Sequence, residues 1–211
     1  MAIPNMDIKV EDVFEINNFR WKKIFNNLSY PWEAIPNISQ FVQDRLNEFG
    51  ESKVFVDSGT MIQDTARIEG NAIIGKNCML GHGVLIRNDV IIGDNVSIGH
   101  GVEVKHSIVL DNTSIAHLNY VGDSVIGSYV NISGGAILAN WRFDKQKIKI
   151  KNGSEYIETG LEKFGAIVGD GCTIGVNSVL NPGTILGKNS VVYPLVSVGG
   201  CQVENSVLKK N

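Results

Sequence analysis

Two cations, Arg87 and Lys105, are 18 residues apart, and each directly follows an aliphatic residue of a six-residue repeat. If three repeats form one coil, these side chains stack on neighbouring rungs, about 4.8 Å apart. Two cations at that distance repel each other unless an anion lies between them, and Arg and Lys both bind phosphate oxygens. The pair predicts a phosphate site, against the alternative of two solvated surface cations.

The histidines are the other candidates for chemistry. His82 and His100 are 18 residues apart in two Gly-His-Gly triplets. That spacing indicates stacked imidazoles, which either hold a metal ion or simply face solvent. His106 does not lie at the same corner of an 18-residue coil as His82 and His100, which argues against a metal site formed by three histidines. His117 lies in an irregular stretch; an imidazole with an ordinary pKa of about 6.5 suits a general base, and packing in a turn is the alternative.

The elements that must position these side chains repeat every six residues. The aliphatic residues at this spacing are Ile62, Ile68, Ile74, Leu80, Ile86, Ile92, Ile98, Val104 and Leu110, then Val168, Ile174, Leu180, Leu186, Val192 and Val198. A period of six fits neither a strand nor a helix. It predicts an all-β solenoid, a parallel β-helix in which each aliphatic points inward. The ladder slips after Leu110, where Ala116, Val121 and Ile126 are the next expected inward residues.

The chain divides into a helical cap, a solenoid and a tail. Residues 1–52 carry apolar residues at helical spacing and are expected to cover the strand edges of the first coil. Residues 53–203 form the predicted β-helix domain. Within it, residues 139–166 are rich in charged and aromatic side chains and are expected to leave the coil as a loop or protruding hairpin, and long loops are usually functional. Residues 204–211 are predicted to be a short tail.

Composition narrows the class of protein. A chain of 211 residues with 43% hydrophobic content can bury one sizeable core, and a net charge of −3 without a basic run argues against a nucleic-acid partner. No long apolar stretch or cleavable leader is present, so we expect a cytoplasmic protein with no membrane partner. Cys78, Cys172 and Cys201 lack metal-type spacing; the first two fall at inward positions and are expected to pack.

Four segments are specific enough to indicate a family: Ile115–Asp123, which contains His-Leu-Asn-Tyr, then Val130–Gly135, Ala139–Asp144 and Leu161–Gly169. With them, residues 30–195 resemble the C-terminal left-handed β-helix of the bifunctional sugar-1-phosphate nucleotidylyltransferase/acetyltransferases, which make UDP-N-acetylglucosamine. The resemblance implies a left-handed coil, a cyclic homotrimer with sites between subunits, and acetyl transfer from acetyl-CoA to glucosamine-1-phosphate or galactosamine-1-phosphate. The family's nucleotidylyltransferase domain has no counterpart in this sequence, so UTP-dependent chemistry is not expected.

The resemblance also implies residue roles by position. His117 matches the general base. The residues implied to bind the amino-sugar phosphate are Arg87, Lys105, Tyr120, Asn131 and one lysine near Lys145 or Lys147, for which we select Lys147. The residues implied to contact acetyl-CoA are Asn140, Trp141, Gly134, Val176 and Tyr193. No metal is implied. Main-chain N–H groups of the Ser133–Gly135 turn are expected to stabilise the oxyanion.

Two other interpretations remain open. One is a non-catalytic trimeric solenoid that binds a sugar nucleotide or acts as a regulatory subunit. The other is a metalloenzyme resembling the gamma-class carbonic anhydrases. The combined presence of the polar residues at the family positions favours catalysis, because a scaffold needs only the inward ladder. Trp141 replaces a usual tyrosine and Ser133-Gly134-Gly135 a usual Gly-Ala-Gly, which leaves the acceptor sugar undecided.

Overall fold

A computed structural model of the protein describes residues 6 and 8–210. Residues 1–5 and 7 of the predicted cap and Asn211 of the predicted tail lie outside the described residues. The predicted solenoid is confirmed: each coil contributes one short strand to each of three parallel sheets, which form the faces of a prism. The organisation is consistent with the left-handed coil that the resemblance implies.

The faces are called first, second and third in the order in which each coil visits them. The strands of the first face are β1 Val54–Val56, β4 Ala72–Ile74, β7 Val90–Ile92, β10 Ile108–Val109, β13 Val125–Ile126, β18 Ala166–Val168, β21 Thr184–Leu186 and β24 Cys201–Gln202. Those of the second face are β2 Met61–Ile62, β5 Met79–Leu80, β8 Ser97–Ile98, β11 Ser114–Ile115, β14 Asn131–Ile132, β19 Thr173–Ile174, β22 Val191–Val192 and β25 Val207–Leu208. Those of the third face are β3 Arg67–Glu69, β6 Leu85–Arg87, β9 Glu103–Lys105, β12 Tyr120–Gly122, β15 Ile137–Leu138, β20 Val179–Leu180 and β23 Ser197–Val198.

The inward ladder differs from the prediction at one point. Val109, not Leu110, pairs in register with Ile92 and joins the inner core, and Ile115 likewise replaces Ala116. The first five-residue step therefore falls between Val104 and Val109, earlier than expected. A buried serine makes this short corner possible: Ser107 Oγ donates to the Lys105 carbonyl (2.7 Å) and accepts the Ser124 N–H (3.0 Å). A second short corner, at Ser124, follows one coil later.

The cap lies over the outer surface of the first face and not over strand edges, which corrects the prediction. It contains helices α1 (Val10–Val13) and α2 (Ile38–Phe49) and two 3₁₀ segments, Lys22–Phe25 and Pro31–Asn37. The aliphatic side chains of the first face that it covers are Ile73, Ile91, Ile108, Val125 and Ile167, all fully buried. Their burial removes apolar surface from water, which explains why the cap docks on this face.

The 139–166 segment leaves the coil and forms an antiparallel hairpin, as predicted, with strands β16 (Lys149–Asn152) and β17 (Glu155–Glu158). The hairpin packs back against the first face instead of protruding, since Ile150 and the preceding Ile148 are fully buried in the same outer cluster as Ile185 and Cys201. The Asn152 side chain also accepts the Met6 N–H at 2.8 Å, which ties the hairpin to the cap. Together the cap and the hairpin cover the first face and leave the other two faces open.

The coil extends beyond residue 203 into the segment predicted to be a tail. Val207–Leu208 pairs with Val191–Val192, so this segment adds a further strand to the second face. Cys78 and Cys172 pack in the inner core as expected, whereas Cys201 packs on the outer side of the first face. None of the helices in the described part of the chain has the length and apolar character needed to cross a lipid bilayer.

Candidate active site

Arg87 and Lys105 lie together where the third face turns into the first, which we call the cation edge. They are paired in register on neighbouring strands, as the 18-residue spacing predicts. Each cation has a carboxylate partner from its own chain: Arg87 Nε donates to Glu103 Oε1 (2.6 Å) and Lys105 Nζ to Asp123 Oδ2 (2.8 Å). The repulsion between the two cations is therefore relieved by protein carboxylates, and no bound anion is needed to explain their stacking.

A cavity of about 280 Å³ opens at the cation edge. Its lining residues are Arg87, Lys105, Tyr120, Asn140, Trp141 and Lys163. The two ends of the 139–166 segment meet here, because the Phe164 N–H donates to the Asn140 carbonyl (3.1 Å) and the Gly165 N–H to the Asp123 carbonyl (2.9 Å). The inserted segment thus supplies one wall of the cavity from both its start and its end.

Asp123 is the most buried charged group at this edge, with only 4% of its surface exposed. Its carboxylate accepts hydrogen bonds from Lys105 Nζ, from His106 Nδ1 (3.0 Å) and from Asn140 Nδ2. Burial alone raises the pKa of Asp123, but the bonds from His106, Lys105 and Asn140 favour the ionised form, so the pKa lies below its ordinary value.

This lowered pKa gives a prediction for acid stability. A carboxyl whose pKa is lower in the folded state stabilises the fold fully above the unfolded-state value, and that stability is lost as the pH falls through the folded value. We therefore expect Asp123→Asn to have a lower melting temperature than the wild type at pH 6, and the gap to shrink as the pH falls below about 4, the unfolded-state pKa of an aspartate, and through the lower folded-state pKa. Thermal unfolding across this range measures the difference; a gap independent of pH would contradict the assignment.

The opposite edge of the third face, where the second face turns into the third, carries the other histidines. His82, His100 and His117 occupy equivalent positions on successive coils, because the Gly101 N–H bonds the His82 carbonyl (3.0 Å) and the Leu118 N–H bonds the His100 carbonyl (2.9 Å). We call this the histidine edge. Strict 18-residue counting misses the alignment of His117, which the short corner at Ser107 creates. In the described residues, no three His, Cys, Asp or Glu side chains are grouped so that they could hold a metal ion.

His117 and the cation edge are on opposite sides of the third face. His117 is exposed, and strand β12 separates it from the position in register with Lys105, which is Gly122. The strand covers only Tyr120–Gly122, and five residues of fully extended chain would span at most about 16 Å, at about 3.3 Å per residue. One copy of the chain therefore does not bring the predicted base to the predicted phosphate-binding cations.

The other predicted residues divide between the two edges. Gly134 and Val176 continue the column of His117, since the Gly135 N–H bonds the His117 carbonyl (2.8 Å) and the Asn177 N–H bonds the Gly134 carbonyl (3.0 Å). Tyr193 lies on the next coil, about half exposed like Val176. Asn140 and Trp141, predicted with them to contact acetyl-CoA, are at the cation edge.

Two predicted sugar-binding residues lie elsewhere. Asn131 is exposed on the second face and is not next to Tyr120, which is on the third. Lys147 is exposed just before the hairpin and does not line the cavity. The lysine of the inserted segment that does line it is Lys163, whose Nζ lies 5.6 Å from the centre of the Trp141 ring, a cation–π contact. The closure of the inserted segment brings Lys163 here, and no sequence pattern indicates it.

The expected oxyanion turn is mostly occupied by structural bonds. The Ser133 N–H bonds the Ile174 carbonyl (2.9 Å) and the Gly135 N–H bonds the His117 carbonyl. Of the three N–H groups, only that of Gly134 has no partner in the described part of the chain.

Two carboxylates of the cation edge, Asp123 and Glu103, were not among the predicted site residues. Asp123 ends the His-Leu-Asn-Tyr-Val-Gly-Asp segment, and its place in that specific segment is a signal that could have identified it.

Comparisons with known proteins agree with this solenoid. Residues 81–160 match the model of the GMPPB C-terminal domain, and residues 165–193 match the hexapeptide repeat of succinyl-transferase. The chain is 29% identical over 212 residues to the bifunctional protein GlmU of Methanococcus aeolicus, covering 95% of this chain and 50% of the relative. It is 38% identical over 88 residues to a bifunctional sugar-1-phosphate nucleotidylyltransferase/acetyltransferase of Sulfurisphaera tokodaii. That match covers 42% of this chain and 22% of the relative.

Among solved structures, the chain is similar to UDP-N-acetylglucosamine O-acyltransferase from Moraxella catarrhalis, with a TM-score of 0.47, 18% identity and coverage of 76% of this chain and 67% of that one. The chain spans half or less of the length of the two curated relatives named above. The matches to these bifunctional proteins confirm the resemblance inferred from the His-Leu-Asn-Tyr segment and its neighbours.

Proposed function

We propose that the protein transfers an acetyl group from acetyl-CoA to the amine of an amino-sugar 1-phosphate, glucosamine-1-phosphate or galactosamine-1-phosphate, in nucleotide-sugar synthesis. The observation that carries this proposal is the cavity at the cation edge. It joins two stacked cations to the phenol of Tyr120 and the amide of Asn140, groups suited to a phosphate beside sugar hydroxyls. The similarity to the bifunctional GlmU relatives supports the same activity.

The working unit in this proposal is a cyclic homotrimer. The cap and hairpin cover the first face, so the second and third faces are the surfaces open to another copy. Cyclic packing of three prisms brings the histidine edge of one copy towards the cation edge of the next. This arrangement supplies the base that the cavity lacks within one copy.

The residues then have distinct roles. Arg87 and Lys105 hold the phosphate, and Tyr120 and Asn140 orient the sugar. His117 of the partner subunit removes a proton from the ammonium group so that the amine can attack the thioester carbonyl. The Gly134 N–H, which has no partner among the described residues, lies on the His117 column and can donate to the oxyanion of the tetrahedral intermediate. When the intermediate collapses, the C–S bond breaks, the nitrogen loses its second proton, and CoA leaves as the free thiol. Val176 and Tyr193, about half exposed on the same edge, offer an apolar strip for the pantetheine chain of acetyl-CoA.

Release of free thiol from acetyl-CoA tests this activity. We expect thiol release with glucosamine-1-phosphate or galactosamine-1-phosphate and much less with glucosamine, which lacks the phosphate. Equal rates with glucosamine would contradict the phosphate role of the cation edge. No thiol release with either sugar phosphate would contradict the activity itself.

One observation favours the non-catalytic alternative, because a single copy of the chain does not bring His117 to the cation edge. A binding solenoid of this kind would take up a sugar nucleotide without consuming acetyl-CoA. Calorimetric titration with UDP-N-acetylglucosamine, together with the thiol assay, separates the two functions. Tight binding without thiol release is the result that the alternative predicts.

Lys163 gives a residue-level prediction. If its ammonium group contacts the sugar phosphate, Lys163→Ala should raise the KM for that substrate about tenfold, which corresponds to about 1.4 kcal/mol. Lys147→Ala removes an equally charged side chain from the same inserted segment but outside the cavity, and its KM should stay within about twofold of the wild type. A larger effect at Lys147 than at Lys163 would restore the original assignment.

A further inference from the structure

Asp123 has no part in the reaction steps above, yet more polar groups of the cation edge converge on it than on any other described side chain there. Its carboxylate is 95% buried and accepts from Lys105, His106 and Asn140. The side chain of Lys105 is itself only 10% exposed. The desolvation cost of a buried ion pair offsets much of the attraction between its charges, so stability alone is a poor explanation for this pair.

The backbone at this cluster turns sharply at two neighbouring corners. His106 and Asp123 both have φ of 45°, in the left-handed region that Asp and His adopt more readily than most residues. They stack on neighbouring coils, at the two short corners, since the Asp123 N–H bonds the Lys105 carbonyl (2.9 Å). Corners of this kind recur along the solenoid, and here they place His106 Nδ1 within hydrogen-bond distance of the Asp123 carboxylate.

The carboxylate also determines which way the Asn140 amide faces. An ionised carboxylate can only accept hydrogen bonds, so the NH₂ group of Asn140 must face Asp123. The carbonyl oxygen of Asn140 is then left for the cavity that this residue lines. The cavity presents cations for an anionic group and, beside them, an acceptor for a hydroxyl or ammonium group.

We propose that Asp123 is a positioning residue, which holds the Lys105 ammonium in place and turns the carbonyl oxygen of Asn140 into the cavity. The inference rests on the proposed function and deepens it. With the Asn140 carbonyl oxygen facing the cavity, the site should select ligands that carry a hydrogen-bond donor next to their phosphate. Asp123 itself does not touch the ligand.

Two matched variants test the inference, because Asp123→Asn and Glu103→Gln each remove one carboxylate that neutralises a cavity cation. If Asp123 positions Lys105 and Asn140, Asp123→Asn should raise the Kd for glucosamine-1-phosphate at least tenfold. Glu103→Gln should lower that Kd severalfold, because it frees Arg87 for the phosphate. Isothermal titration calorimetry measures both. Tighter binding in both variants would show that Asp123 acts only through its charge and would overturn the proposal.

A measurement on the wild type covers the case in which Asp123→Asn does not fold or the sugar phosphate does not bind. The side-chain amide protons of Asn140, held by Asp123, should exchange with solvent much more slowly in NMR spectra than those of the exposed Asn131. Equal exchange rates would overturn the proposal. Slow exchange of the Asn140 protons in a protein that binds neither sugar phosphate would leave the positioning intact and contradict the proposed function instead.

Discussion

Replacing His117 by Ala should lower the rate of acetyl transfer by about 10²- to 10⁴-fold, the usual contribution of a general base. The reason is that the amine is a nucleophile only after it loses a proton. The variant keeps the cation edge intact, because that edge lies on the other side of the third face of its own copy. Binding of the sugar phosphate should therefore persist, and steady-state kinetics together with calorimetry separate the two effects.

His100→Ala is the matched control, because it removes an imidazole from the neighbouring coil of the same edge. Its rate should stay within a few-fold of the wild type. Arg87→Ala should act in the opposite way to His117→Ala and mainly weaken substrate binding. Equal losses of binding in Arg87→Ala and His117→Ala would contradict the separate roles of the two edges.

Mixing a variant that lacks the base with a variant that binds the sugar phosphate weakly should restore activity at low sugar-phosphate concentration. If each site joins the histidine edge of one copy to the cation edge of another, a trimer that contains both His117→Ala and Lys105→Ala copies can form intact sites. With random mixing at equal amounts, half of the histidine edges and half of the cation edges are intact. About one quarter of the sites should then be complete, far above the activity of either variant alone.

The mixing experiment requires exchange of subunits, by co-expression or by refolding a mixture. A double variant carrying both substitutions in one chain, mixed with the wild type, provides the control for assembly. If the control assembles normally but the mixed variants recover no activity, the proposal is contradicted. The active sites would then lie within single copies, or the two edges would not meet.

The six-residue period was sufficient to predict the solenoid, because each inward side chain has no other place in a coil with three short strands. The register after Val104 could not be predicted in the same way. Val109 and Leu110 are both aliphatic, and only their pairing with the preceding coil decides which one points inward. Ser107 stabilises the shorter corner, but serine is common in turns of every length, so its presence in the sequence does not predict a five-residue step.

Part of the candidate site followed from counting residues along the coil. The stacking of Arg87 and Lys105 is confirmed because no short corner lies between them. The alignment of His117 with His100 was missed, since the short corner shifts it by one residue. The position of Lys163 depends on how the inserted segment closes, which is a long-range contact that local patterns do not encode.

The surface on which the cap packs also could not be predicted from the sequence. Its apolar residues indicated helices, but the outer side of the first face is as aliphatic as the inner side, with Ile73 and Ile91 next to Ile74 and Ile92. A sheet with two apolar sides needs a cover, and this determines where the cap and hairpin pack. It also determines which faces remain open to other copies.

The most direct test of the account is an experimental structure of the assembled protein with CoA and glucosamine-1-phosphate bound. The account predicts the phosphate on Arg87 and Lys105 and the sugar amine within hydrogen-bond distance, about 3 Å, of the imidazole of His117 of the partner subunit. A phosphate held by those cations with no His117 imidazole from any copy near the amine would contradict it.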